Sequence, residues 1–272
     1  MNIFLTNSKT HFEFVFTLKK SESELKEIVT KAVQKNTILT LKTYLLSDYG
    51  EMILKIITST ILSHYNRMDL MEISYSSAKE LMINATKANL KRVMFKDQNL
   101  DINNPDDYDK GMHTFKSNLR EDKIGTYRPL FKKYDLPVIA TFYYTKDVLN
   151  IKIKNVFPLL PIEETRIRDK FKKAISFSNL IDFFMEYGDN TEGAGMGITM
   201  VGILLDQSGI DKHSFSLYSS EKYNETVAKI EIPLSKNYIS KRDKFQKEIS
   251  DQNLSKVEFR KSFSYNYKSF QS

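Results

Sequence analysis

The chain of 272 residues contains no cysteine, which excludes both a disulfide framework and a zinc site built on thiolates. Its histidines are scattered without the short spacing of metal ligands: His11, His64, His113 and His213. No apolar run approaches the roughly 20 residues of a membrane span. The first residues lack the basic and apolar regions of a signal peptide. We therefore expect a globular protein of the cytoplasm, with a sizeable core, no structural metal and no membrane segment.

Positive charge is concentrated at the end of the chain. The net charge is +7, and segment 235–272 holds nine lysines and arginines against four acidic residues. Aromatic residues are interleaved with these cations, a pattern that can bind phosphate backbones and stack on bases. The alternative is that the aromatic side chains dock onto the domain or a second subunit. We favour docking, because no recognised nucleic-acid motif accompanies this tail.

Hydrophobic periodicity indicates a helical N-terminal region. Ser21 followed by Glu24 is the capping box of a helix start. Apolar residues recur at helical spacing over 38–66, and a further helix is predicted for 74–91. The broad apolar faces of these helices suit packing or pairing, so we expect region 1–70 to dimerise or to dock a partner.

The remainder of the chain alternates between strands and helices. The predicted strands are 12–18, 138–144, 149–154, 214–218 and 226–232, and further helices are predicted for 162–175 and 197–208. This order predicts an α/β (α+β) sandwich: a mixed, mostly antiparallel sheet with helices on one face, preceded by the helical N-terminal segment. A polar stretch at 96–125, rich in Asp and Asn, predicts a loop or lid.

The stretch from Glu80 to Lys87 places three polar side chains on one helix face. Residues four apart share a face, so Glu80 and Asn84 point the same way, and Lys87 follows three residues later. An asparagine oxygen can ligate Mg²⁺ on nucleotide phosphates, a carboxylate can accept a proton from an attacking water or hydroxyl, and an ammonium can meet phosphate charge. An ordinary solvated helix face is the alternative for this pattern taken alone.

Three alternating glycines precede an apolar helix: Gly193, Gly195 and Gly197. Glycine is costly at such positions unless the backbone must come close to another group. The amides of the loop and of the following helix start form a natural phosphate cradle, and a hinge loop is the alternative. The loop lacks the Gly-Lys-Ser/Thr ending of a P-loop and does not follow a strand directly, which disfavours Walker and Rossmann sites.

In their order and surroundings, these motifs resemble the GHKL superfamily of ATPases and kinases, which includes histidine kinases, gyrase-type and chaperone ATPases and anti-sigma-factor kinases. Segment 80–88 is similar to the N box of that superfamily, and 193–198 is similar to its second glycine box. Segment 229–234 is similar to the last strand of histidine kinase ATPase domains. The resemblance covers about 71–234 and implies a Bergerat-type fold with ATP and Mg²⁺ as cofactors.

The resemblance also implies a role for each motif residue. Glu80 would be catalytic and activate or position the attacking group, Asn84 would bind magnesium, and Lys87 would touch phosphate. The triphosphate would be wrapped by Gly193, Ala194, Gly195, Met196 and Gly197. Asn155 stands where the family has its adenine-binding Asp, and its oxygen can accept a hydrogen bond from the adenine amino group. Asp189 can contribute a nucleotide or metal contact, or it is a solvated loop acid.

Three functions remain open from the sequence. The preferred one is a soluble ATP-binding signalling kinase or ATPase of the GHKL type, in which a lid at 96–125 closes over Mg-ATP and a protein partner supplies the input or the phosphoacceptor. The second is a non-catalytic nucleotide-binding module that regulates a partner. The third is nucleic-acid binding through the tail 235–272. His64 lacks the adjacent acid of a phosphoacceptor histidine, so we expect it to have a packing or surface role.

Overall fold

The computed structural model describes residues 11–14, 19–119, 121–177, 179–187, 196–250 and 255–263. The described helices are α1 (Glu22–Gln34), α2 (Asp48–His64), α3 (Met71–Asp97), α4 (Pro105–Ser117), α5 (Glu121–Ile124), α6 (Arg128–Lys133), α7 (Pro161–Ser176), α8 (Leu180–Tyr187), α9 (Met196–Gln207), α10 (Lys241–Ser250) and α11 (Lys256–Ser262). The described strands are β1 (His11–Phe14), β2 (Ile38–Thr43), β3 (Val138–Tyr144), β4 (Val148–Asn155), β5 (Phe215–Ser220) and β6 (Glu225–Pro233). Across these ranges, no helix has both the length and the apolar character that crossing a membrane requires.

The strands form one six-stranded sheet in the order β1-β2-β3-β4-β6-β5. Strand β1 is parallel to β2, and the other neighbouring strands are antiparallel. Leu41, Ala140 and Ile153 are register partners and are all buried, so an apolar inner face extends across the strands. Helices α2 and α3 pack against these strands. The predicted mixed, mostly antiparallel sheet in an α/β protein is confirmed, but α10 and α11 lie against the other face of the sheet, so the prediction of helices on one face is wrong.

Residues 38–43 form strand β2, so the helix predicted to begin at Ile38 is wrong over this segment. Leu39 and Leu41 also fit the two-residue period of a strand, and pairing with β3 decides between the two patterns. The helix begins only at Asp48, where the Ser47 hydroxyl accepts a hydrogen bond from a backbone N–H of the first turn. The N-terminal region thus contributes a strand to the common sheet, and its role in dimerisation or docking stays a prediction.

Helix α3 is 27 residues long and extends beyond the predicted range 74–91 at both ends. Its N-terminal half contributes Ala78 and Leu81 to the main core beneath the sheet. Its C-terminal half contributes Leu90 and Val93 to a second core. Because the two cores bury different sides of the helix, α3 lies inside the protein over most of its length.

The segment 96–125, predicted as a loop or lid, is mostly helical in the structure. The side-chain oxygen of Asn104 accepts hydrogen bonds from two backbone N–H groups in the first turn of α4, and Pro105 occupies that turn. Phe115 and Ile124 are then buried in the second core. Capping residues resemble turn residues in composition, and this similarity concealed the helix. Closure of the segment over a ligand stays a prediction.

Two predicted helix ends are confirmed in detail. The Ser21 hydroxyl accepts a hydrogen bond from the Glu24 N–H at 3.3 Å, and the Glu24 carboxylate accepts one from the Ser21 N–H at 2.8 Å. Gly209 has a φ of +71° just after α9. That left-handed conformation is open to glycine at little cost, and α9 ends there.

The described part of the tail 235–272 contains α10 and α11, which pack through aromatic rings. The centroids of Phe245 and Phe259 are 5.0 Å apart, and those of Phe245 and Phe263 are 5.1 Å apart. Phe259 is buried. These rings contact one another within the tail. Docking of the tail onto the domain or a second subunit stays a prediction, as does nucleic-acid binding.

A buried ionic cluster joins α3 to the start of α7. Glu163 accepts hydrogen bonds from both terminal guanidinium nitrogens of Arg92, at 2.9 and 2.7 Å, and it pairs with Lys91 Nζ at 2.5 Å. It also accepts the backbone N–H of Leu160 at 2.9 Å, which caps α7. Burial alone would raise the pKa of this carboxyl, but the charges of Arg92 and Lys91 lower it to about 2.

Replacing Glu163 by Gln should destabilise the protein by about 3 kcal/mol at pH 7, because two buried cations would lose their counter-charge. The folded-state pKa of Glu163 lies below its ordinary value of 4.5, so its stabilising contribution is complete above about pH 5 and is lost as the pH falls towards 2. Urea unfolding of both proteins from pH 7 to pH 3 measures this difference. Glu164→Gln, on the exposed side of the same helix, is the control and should change stability little. A difference between Glu163→Gln and the parent that persists undiminished at pH 3 would contradict the ionic role.

Candidate functional site

Glu80 and Asn84 lie one turn apart in the middle of α3, and both side chains are half-buried. The Asn84 carboxamide nitrogen donates a hydrogen bond to Glu80 Oε1 at 3.1 Å. This contact places the two side chains on one face, as their spacing predicts. Because the amide nitrogen is directed at Glu80, the Asn84 oxygen is left as the acceptor that a cation requires.

The start of α9 meets this face of α3 at Gly197. A Cβ atom on Gly197 would lie 1.8 Å from Glu80 Oε1 and 2.3 Å from Asn84 Nδ2. A side chain at position 197 would therefore displace the ends of Glu80 and Asn84, and with glycine there α9 approaches them as bare backbone. The first N–H groups of a helix have no partner within it, and this approach brings such donors towards Glu80 and Asn84. The two sequence motifs therefore meet at this contact.

The contact at Gly197 gives no position for the other predicted residues of this segment. Asp189, Gly193, Ala194 and Gly195 lie outside the described residues. Met196 is the first residue of α9. Phosphate binding by the glycine motif stays a prediction, as does a nucleotide or metal contact by Asp189.

Asn155 ends strand β4 beside the same part of α3. Its side-chain nitrogen donates to the Ala85 carbonyl at 2.9 Å and to Asn89 Oδ1 at 2.7 Å. Asn89 in turn donates to the Leu136 carbonyl at 2.6 Å. Both amide hydrogens of Asn155 are thus used within the protein, and its oxygen is the atom left to accept a hydrogen bond. Ala85 follows Asn84 directly, so the position matching the adenine-binding residue lies within a turn of the predicted magnesium ligand.

Cations from α7 complete the surroundings of this site. Burial lowers the pKa of Lys170, and the positive charges of Arg166, Lys87 and Lys173 lower it further. Helix α9 is joined to this part of α7 by Thr199, whose hydroxyl donates to the Lys170 carbonyl at 3.3 Å. A bound anion would offset the mutual repulsion of the four cations.

The cations of α7 are not among the site residues predicted from the sequence, which indicates only a helix over 162–175. Arg166, Lys170 and Lys173 are spaced by four and then three residues, which places them on one helix face. Glu80, Asn84 and Lys87 have the same spacing. This shared spacing is the sequence signal that could have indicated these cations. The sequence alone does not show that α7 packs beside α9.

The donor groups suit a phosphate ligand that brings its own cation. Among the residues that the structure describes, no group of three His, Cys, Asp or Glu side chains could hold a metal ion. Mg²⁺ in phosphate sites commonly takes only one or two protein oxygens, with the remaining positions filled by phosphate and water. Asn84 and Glu80 supply oxygens of that kind, and Lys87 and Lys170 supply positive charge.

The chain is similar in sequence to a protein of Treponema pallidum (strain Nichols) whose printed description is "Uncharacterized protein". The two are 28% identical over 225 residues, which make up 83% of this chain and 43% of the relative. The chain thus spans less than half the length of that relative. No family model matches the chain, and no solved structure matches it.

Replacing Gly197 by Ala should destabilise the protein by about 1 kcal/mol, because the added methyl group would displace the ends of Glu80 and Asn84 and disrupt the hydrogen bond between them. Urea unfolding measures the change. Gly125→Ala is the matched control, since a Cβ there would meet no atom within 4 Å. Equal stability of the Gly197→Ala and Gly125→Ala proteins would show that α9 does not pack as closely as described.

Proposed function

We propose that this chain is a nucleotide-binding protein of the GHKL type, which binds Mg-ATP where α3, α7 and α9 meet. The observation that carries the proposal is the packing of Gly197 against Glu80 and Asn84. It brings the segment resembling the N box into contact with the segment resembling the second glycine box, as a common phosphate site requires. The mostly antiparallel sheet, with α2 and α3 packed on it, supports a Bergerat-type arrangement.

In this proposal, residues from α3, α7, α9 and β4 contact different parts of Mg-ATP. The Asn84 oxygen would hold Mg²⁺, which supplies neutralising charge to the phosphates when it is bound. Lys87 and Lys170 would meet phosphate oxygens from α3 and α7, and the backbone N–H groups at the start of α9 would donate to them. Asn155 would accept a hydrogen bond from the adenine amino group.

Turnover depends on Glu80, the carboxylate next to the magnesium ligand. One of its oxygens accepts the Asn84 amide, which orients the carboxylate, and the second oxygen can accept a proton from an attacking water or hydroxyl. A kinase or ATPase activity is therefore the first candidate for this site. The phosphoacceptor or partner would be a protein.

A second candidate is a regulatory module that binds the nucleotide without turning it over. The segment after β4 supports it, because residues 156–160 contain no glycine and are held by specific contacts. The carbonyl of Val156 accepts a hydrogen bond from Asn224 at 3.0 Å, and that of Phe157 accepts one from Thr226 at 2.8 Å. Arg92 lies 4.6 Å above the Phe157 ring. These contacts restrict motion beside the proposed base site.

Replacing Asn84 by Ala should lower the affinity for Mg-ATP at least about tenfold, because the variant loses the proposed oxygen ligand of the metal. Equilibrium binding of a fluorescent ATP analogue, with and without Mg²⁺, measures this effect. Asn103→Ala, in an exposed loop, is the control and should bind as the parent does. Unchanged binding by Asn84→Ala would refute the proposed function.

Glu80→Gln separates the two candidates in the same experiment. If the chain is an enzyme, incubation of the parent with labelled ATP should show hydrolysis or phosphotransfer. Glu80→Gln should abolish this turnover while nucleotide binding remains. Binding without any turnover by the parent would establish the regulatory module instead.

Replacing Lys170 by Met should stabilise the protein without ligand and weaken nucleotide binding about tenfold. The stabilisation follows from the lowered pKa of Lys170, because the folded protein destabilises its charged form at neutral pH. The weaker binding follows from the loss of one phosphate contact. Thermal unfolding with and without Mg-ATP measures both effects. Lys172→Met, exposed on the same helix, is the control; if it behaves like Lys170→Met, the cluster has no specific role.

A further inference from the structure

A cavity of about 540 Å³ lies on the other face of the sheet, away from the nucleotide site. Strands β5 and β6 form one wall through Ser216, Lys229 and Glu231, and α10 and α11 form the opposite wall. The register shows why the cavity is on the outer face: Ser216 pairs with Lys229, whereas their neighbours Phe215 and Ile230 pair on the buried inner face. The volume falls in the range of small-molecule sites.

Positive charge predominates among the groups that line this cavity. Its permanent cations are Lys229, Lys241, Arg242 and Arg260, and its carboxylate is Glu231. Glu231 pairs with Lys229 and accepts a hydrogen bond from the Tyr238 hydroxyl at 2.7 Å. Arg242, Arg260 and Lys241 add further charge from the helices. An anion is therefore the ligand that this lining would attract.

The acidic residues of α10 and α11 that the structure describes are engaged in local contacts. Asp243 accepts a hydrogen bond from the Ser240 hydroxyl at 2.7 Å, and Glu258 accepts one from the Ser255 hydroxyl at 2.5 Å. Glu248 pairs with Lys244 at 3.5 Å along α10. These acids therefore cap or brace their own helices and are absent from the residues that line the cavity.

At two places beside this cavity, positive charges stand where their electrostatic free energy is unfavourable. Lys241 and Arg242 occupy the first turn of α10, where the helix dipole is positive and cations are unfavourable. Lys152 and Lys229 are direct cross-strand neighbours, a like-charge pair that also destabilises. Burial lowers the pKa of Lys152, and the Lys229 ammonium lowers it further. A bound anion would offset both costs.

The cavity also has an apolar wall. Phe245 and Phe263 line it, are half-buried, and meet edge to face at an interplanar angle of 88°. The Arg260 guanidinium lies 6.0 Å from the Phe245 ring centroid. We propose that this cavity binds a small organic phosphate, with its phosphate against Arg242 and Arg260 and its apolar group against the two phenylalanine rings. This site is separate from the nucleotide site.

Calorimetric titration of the full chain with phenyl phosphate tests the proposal, because this probe carries a phosphate and a ring but no nucleotide base. The parent should show one saturable site. Arg242→Ala combined with Arg260→Ala should weaken binding at least about tenfold. The matched control combines Lys247→Ala with Lys256→Ala, which removes the same charge from exposed positions of the same two helices that do not line the cavity. Its affinity should stay within about twofold of the parent.

Two further variants distinguish binding in this cavity from binding elsewhere on the protein. Phe245→Leu should weaken phenyl phosphate but leave inorganic phosphate unchanged, and Asn84→Ala should leave phenyl phosphate binding unchanged. Circular dichroism of each variant checks that it is folded. The proposal is overturned if the parent shows no saturable binding, or if both double variants lose affinity equally. It is also overturned if binding is confined to a single-stranded oligonucleotide, which would indicate nucleic-acid binding by the basic tail.

Discussion

Helices α3 and α9 approach so closely at Gly197 that a side chain there would displace Glu80 and Asn84, and the candidate site depends on this approach. Gly197 presents backbone to Glu80 and Asn84, and a Cβ on Gly202, further along α9, would lie 2.9 Å from Ala174 of α7. Two glycines therefore allow α9 to pack closely between α3 and α7. The polar face of α3 and the cations of α7 come together because α9 contacts both helices.

The remaining fold holds these three helices in position. Glu163 joins α7 to α3 through Arg92 and Lys91, so the start of α7 is anchored about eight residues along α3 from the turn that carries Asn84. Asn155 ties the end of β4 to that same part of α3. Because the described side chains of the site stand on packed helices and a sheet, the core holds them in position. A phosphate ligand would enter a largely formed arrangement of charges and donors.

Local patterns predicted much of this structure, and long-range pairing accounts for most of what they missed. Periodicity and caps located β3, β4 and α9 and the polar face of α3, since each depends on nearby residues. Segment 38–43 fits both the helical period and the two-residue period of a strand, and its pairing with β1 and β3 makes it a strand. Lys170 was missed because its importance comes from α9 and α3, which are distant in sequence. The cavity residues of α10 and α11 belong to the basic tail, and the sequence alone does not show that they face strands β5 and β6.

The central claim is that the two sequence motifs form one nucleotide site around α3. Hydrogen–deuterium exchange of the full chain, with and without Mg-ATP, tests it most directly, because protection reports which backbone amides a ligand orders. The account predicts Mg²⁺-dependent protection in the middle of α3 and α7, at the end of β4 and at the start of α9. Unchanged exchange in these segments at saturating Mg-ATP, or protection confined to α10 and α11, would contradict it.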